Sequence, residues 1–98
     1  MTGGWFIGDF EPSLYRTPLV EVGVKFHRQG DHWPRHGQKR AWEYNCLVTG
    51  RLQMNGTCFG PGALFAIAPG ELLKPTFLSN CTVVVVKMPS DPSDKVLA

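Results

Sequence analysis

The sequence is short of charge: only 18% of residues are Asp, Glu, Lys or Arg, against 43% apolar. That balance excludes a disordered, self-repelling chain and points to a folded domain. The formal charge of +2 is too small to indicate nucleic acid as a partner, because phosphate recognition leaves a basic stripe along one face. No apolar run is long enough to cross a bilayer, and the N-terminal MTGGWFIGDFEPSLYR lacks the basic head and apolar segment of a secretion signal. A cytoplasmic protein with no membrane partner is expected. No Cys-x-x-Cys pair is present, which removes a zinc ribbon or thioredoxin-like site. Cys46, Cys58 and Cys81 cannot all pair within one chain and lie in apolar runs, so they are read as reduced and mostly buried. There is no Gly-x-Ser-x-Gly elbow and no glycine-rich phosphate loop.

Helical periodicity is missing as well. Gly 11 and Pro 8 interrupt nearly every stretch that might have become a helix, so strands and turns remain. At 98 residues there is room for one domain, 1–98, with one core and one pocket. A short strand is predicted over 5–10. Between Leu19 and Phe26 the residues alternate, with Val20, Val22, Val24 and Phe26 on one face and Glu21 and Lys25 on the other. That is the pattern of a half-buried strand.

The segment 27–39 is polar and holds all three histidines, His27, His32 and His36. Ala41 to Thr49 forms the next predicted strand, with Trp42, Tyr44, Cys46 and Val48 on one side and Glu43, Asn45, Leu47 and Thr49 on the other. Asn55-Gly56 between two short strands is the signature of a tight type I′ hairpin. Further strands are expected around 63–67, 72–78 and 81–87, the last with a Val83 to Val86 run that suggests burial on both faces. The tail 88–98 should run over the surface, although Val96-Leu97 has the character to dock on a neighbour. About seven short strands with regular turn signals suit a sandwich or barrel.

Two segments resemble the cupin motifs. The first motif is Gly, five residues, His, one residue, His, three or four residues, Glu, six residues, Gly. Here Gly30, His36, Glu43 and Gly50 keep that spacing, and Gln38 stands at the second histidine. The second motif begins at Gly62 and includes Gly70, with Pro69 one place off and Leu73 at the histidine position. The likeness spans about 20–87 and implies an all-β, cupin-type double-stranded β-helix, a jelly-roll barrel over about 19–87. It also implies that His36, Gln38 and Glu43 are candidate ligands of a divalent Zn, Fe, Ni or Mn. An amide is a weak neutral donor and leucine is none, so such a site would bind metal loosely. His32 folding back would add a nitrogen.

A carboxylate at position 43 turned into an apolar barrel needs a positive partner. The candidates are a metal, Lys74, or His36 as an imidazolium. Asn45, Gln53, Lys74 and Leu73 are candidate pocket residues, with exposure to water the alternative reading for Asn45, Gln53 and Lys74. The aromatics Trp5, Trp33, Trp42, Tyr44, Phe65 and Phe77 read as core rather than as a stacking platform.

Three functions are consistent with this reading. One is a small-molecule-binding cupin with at most a weakly held divalent metal. Another is a metal-dependent enzyme of the dioxygenase or sugar isomerase/epimerase kind. The third is a non-catalytic interaction module. A homodimer is expected, with the apolar segment from Trp5 to Phe10 available to add to a partner's sheet.

Overall fold

The computed structural model describes residues 4–31, 36–38, 40–71, 74–90 and 95–97, with the backbone alone for 36–38 and 95–97. Eleven strands are present among them: β1 (Trp5–Gly8), β2 (Tyr15–Arg16), β3 (Glu21–His27), β4 (His36–Gln38), β5 (Trp42–Thr49), β6 (Leu52–Met54), β7 (Thr57–Phe59), β8 (Leu64–Ile67), β9 (Thr76–Phe77), β10 (Cys81–Met88) and β11 (Lys95–Leu97). They form a six-stranded sheet in the order β2-β1-β3-β10-β5-β8, a three-stranded sheet β7-β6-β9 and a pair β11-β4. Among the described residues the sheets are not hydrogen-bonded into a closed cylinder. The expected barrel is therefore an open double-layered jelly roll. No helix among the described residues is long and apolar enough to cross a membrane.

Strand β10 is central to the large sheet, antiparallel to β3 on one side and to β5 on the other. Val85 stands opposite both Gly23 and Asn45, and Lys87 opposite both Glu21 and Glu43. Because strand side chains alternate in direction, this register sends the odd-numbered residues of all three strands to one face. That face meets the β6 and β9 side chains. The core consists of Leu47, Leu52, Met54, Ile67, Phe77, Cys81, Val83 and Val85, and Leu47 has no exposure to water at all.

The turns follow from local chemistry. Asn55 (φ 51°) and Gly56 (φ 78°) both adopt the left-handed conformation that a type I′ hairpin demands, and they join β6 to β7 with Met54 opposite Thr57. Gly50, the last glycine of the first motif, has φ 91°, and a Cβ there would collide with the carbonyl oxygen of Asn80. No other residue suits that corner.

Three expectations are corrected. The apolar face of β3 is the outer one: Val22 and Val24 are half-buried and Phe26 is 77% exposed, whereas Glu21 is buried and Lys25 half-buried on the inner side. Strand β1 pairs with β2 and β3 of its own chain, so it is already used as a strand here. Of the three free cysteines only Cys81 is buried; Cys46 is half-buried and Cys58 exposed. The tail adds a strand, with Lys95–Leu97 antiparallel to His36–Gln38. Cys81 behaves as a small core hydrophobe with a satisfied S–H, which donates to the carbonyls of Arg51 and Ser79 at 3.2 and 3.3 Å. Burial pushes its thiol pKa up, which keeps it protonated and unreactive.

Replacing Leu47 by Ala should cost about 3 kcal/mol in urea unfolding, the usual range for a buried leucine. Val48→Ala, one residue along on the exposed face, should cost much less in dilute protein.

Candidate functional site

The inner face of the large sheet is polar at one end. Its first row, read across the strands, is Glu21 on β3, Lys87 on β10, Glu43 on β5 and Ile67 on β8. The next is Gly23, Val85, Asn45 and Phe65. Three charged residues therefore stand side by side, pointing the same way. Neighbouring inward side chains in such a row have their Cβ atoms about 5 Å apart.

Glu21 and Lys87 are almost wholly withdrawn from water, at 4% and 5% exposure. Lys87 Nζ lies 3.3 Å from Glu21 Oε2, and the Ser90 hydroxyl donates to Glu21 Oε1 at 3.0 Å. Ser90 Oγ in turn accepts from the backbone N–H of Asp9 at 2.8 Å. Each carboxylate oxygen thus has a partner, the condition under which a buried charge is tolerated. The N-terminal segment covers this end, held by backbone bonds from Leu14 to Phe6, Thr17 to Gly8 and Ser90 to Pro18.

Trp5 closes the arrangement. It sits opposite Gly23 in the β1–β3 register, and a Cβ on Gly23 would stand 2.7 Å from its indole ring. The missing side chain makes room for the ring on the inner face. Lys25 Nζ lies 4.4 Å and Lys87 Nζ 5.5 Å from the ring centroid, within range for the indole face to attract both ammonium groups.

Glu43 differs from Glu21 in being half-buried rather than sealed. Its Oε2 accepts a long hydrogen bond of 3.5 Å from Asn45 Nδ2, and Asn45 is itself buried on the same face. Lys87, a cation that the sequence reading did not name, is its neighbour in the row, with its ammonium on Glu21. The signal was in the sequence, since Lys87 is in phase with Cys81, Val83 and Val85. The valine run masked it.

The other candidate residues are placed as follows. Lys74 is exposed, and Gln53 lies on the opposite face of β6 from the buried Leu52 and Met54, away from Asn45. Trp42 and Tyr44 are exposed on the outer face, stacked with ring centroids 6.2 Å apart, so they are not core. Phe77 is core and stacks on His27 at 4.1 Å. His36 and Gln38 are on β4, but their side chains, together with Leu73, His32 and Trp33, lie outside the described residues.

The donors at the motif positions are few for the divalent metal that the motif implies. The four motif positions supply one imidazole, one carboxylate, one amide and one side chain with no donor. Among the described residues, which leave out the side chains of His36 and His32, no three His, Cys, Asp or Glu gather. These residues do not fit a tightly held metal.

Solved structures place the fold. An uncharacterised protein with a double-stranded β-helix domain from Klebsiella pneumoniae matches with a TM-score of 0.75 and 19% identity, over 84% of this chain and 72% of its own. An RmlC-like cupin family protein from Methanocaldococcus jannaschii matches at 0.67 and 12%, over 76% and 73%. The DMSP lyase DddQ from Ruegeria pomeroyi matches at 0.76 and 20%, over 94% of this chain, which spans about half (48%) of the lyase. The protein thus has the cupin fold, the double-stranded β-helix, in a form whose sheets stay open. No protein-family model matches the sequence, and no curated protein matches it.

The buried pair makes a directional prediction. Lys87→Met, which leaves Glu21 charged and without its ammonium, should destabilise the fold by about 3–5 kcal/mol. The double variant Glu21→Leu/Lys87→Met should recover most of that loss in denaturant unfolding. Equal loss in the single and double variants would show that the pair is not coupled.

Proposed function

We propose that the chain is a binding protein of the cupin fold that holds a small polar molecule against Glu43 and Asn45. The observation that carries this reading is the contrast between two carboxylates in one row. Glu21 is sealed and fully partnered, whereas Glu43 is half-open and has an amide beside it. A half-buried acceptor next to a donor–acceptor amide suits a ligand rich in hydroxyl groups, such as a sugar derivative or a hydroxylated carboxylate. His36 and Glu43 are the two conventional donors of the degenerate motif, and a divalent ion on them would be weakly held.

The likeness to a DMSP lyase supports the fold; at 20% identity it carries no activity. A metal-dependent dioxygenase, isomerase or epimerase needs an ion that stays bound, and the donor set argues against one.

Elemental analysis and a ligand titration separate these readings. After supplementation with Fe, Ni, Mn or Zn and desalting, the protein should retain well under one metal per chain. A panel of sugar acids and small hydroxy acids should contain members that raise its melting temperature with chelator present. Glu43→Ala should weaken that binding by about 10-fold or more, the loss expected for a hydrogen bond to a charged group. A stoichiometric metal that is lost on His36→Ala or Glu43→Ala would overturn the proposal in favour of the enzyme.

A further inference from the structure

The tip of the β6–β7 hairpin places an amide beside an unguarded main-chain nitrogen. Among the described residues Asn55 is the one non-glycine with a positive φ, and with Gly56 it makes the whole link between the two strands. Both are exposed. The ladder pairs Leu52 with Phe59, Gln53 with Cys58 and Met54 with Thr57, so the Gly56 N–H stands outside it. A Cβ at Gly56 would meet nothing within 4 Å, and among the described residues no hydrogen bond holds the Asn55 amide. The side-chain carbon of an asparagine and the nitrogen of the next residue can close into a small ring, and a glycine in second place puts no Cβ in the way.

We infer that Asn55 is a site of spontaneous covalent modification, where the chain turns an amide into a carboxylate without an enzyme. The Gly56 nitrogen gives up its proton and bonds to Asn55 Cγ. The Cγ–Nδ2 bond breaks, and ammonia leaves with that proton, which closes a cyclic imide. Water then adds to one of the two imide carbonyls. Opening on one side leaves an aspartate in the ordinary main chain; opening on the other leaves an isoaspartate, with the main chain rerouted through the side-chain carbon. Water is the only co-reactant, and each product gains a negative charge. Ring closure takes Asn55 out of its left-handed conformation, a local opening of the kind that exposed loop tips undergo most readily.

The other two asparagines are held back. Asn45 is buried within β5, its amide donates to Glu43, and the next nitrogen belongs to Cys46 in the same ladder. Asn80 Oδ1 accepts from the Gln29 N–H at 2.9 Å, and Cys81 after it begins β10. The two products at position 55 also differ in what they do to the fold. Aspartate keeps an Asp-Gly pair, which makes the same turn. Isoaspartate adds a main-chain carbon to a two-residue link, which cannot then hold Met54 opposite Thr57, and so it disturbs the strand that carries the buried Leu52 and Met54.

The inference is independent of the ligand reading, which rests on the large sheet. The test is incubation of the full folded chain in mildly alkaline buffer, with ammonia release and peptide masses followed in time. Conversion at Asn55 should outrun that at Asn45 or Asn80 by about 10-fold or more, a barrier lower by about 1.4 kcal/mol. Gly56→Asp, whose side chain enters open space and tolerates a left-handed backbone, should slow it by about the same factor. Asn55→Asp should release ammonia only at background and melt at the wild-type temperature, whereas the isoaspartyl fraction of aged wild-type protein, isolated by ion exchange, should melt lower. Equal conversion at the three asparagines, a rate indifferent to Gly56→Asp, or an isoaspartyl fraction as stable as Asn55→Asp would each overturn the inference.

Discussion

The antiparallel register of β10 against β3 and β5 decides most of what this molecule is. With Lys87 opposite both Glu21 and Glu43, one phase of the sheet carries four charged side chains into the interior and the other phase carries only uncharged, mainly apolar ones outward. A shift of one residue would reverse both faces. The buried ammonium–carboxylate pair holds the register, because a slip would leave each charge without its partner in a site that excludes water. The pair, the half-open carboxylate and the bare outer face are therefore consequences of one pairing.

Within that frame the interior divides by access. The N-terminal segment closes over Glu21, Lys87 and Ser90, and Trp5 lies against Gly23 with two ammonium groups near its ring. Toward β5, Glu43 is only half-buried, with the buried Asn45 amide donating to it. The same fold thus gives one carboxylate a structural task and leaves the other able to meet a ligand.

Much of this was legible in the sequence. Asn55-Gly56 specified its hairpin by chemistry that acts over two residues, and the alternation through Glu43, Asn45 and Leu47 gave the correct inward phase of β5. The spacing of the motif glycines led to the fold without any family model. What could not be read was which face of β3 is covered. Alternation separates Val22, Val24 and Phe26 from Glu21 and Lys25, but it does not say which set faces the core. The rule that apolar residues go inside assumes that a single chain is the whole folding unit. Lys87 went unnoticed beside four valines because its role depends on strands more than forty residues away. The pairing of Lys95–Leu97 with His36–Gln38 is equally non-local and rests on three residues with little strand signal of their own. Gln53 stayed open between pocket and water-facing for a simpler reason: a three-residue strand alternates too briefly to fix its phase from sequence.

The central claim is that charge lies inside this sheet and not on its outer wall. It is tested most directly by acylating the folded protein with a water-soluble amine reagent and locating the modified lysines by mass spectrometry. The account predicts that Lys74 is modified quickly and that Lys87 resists until the protein is unfolded. Modification of Lys87 at the rate of Lys74 in the native protein would contradict it.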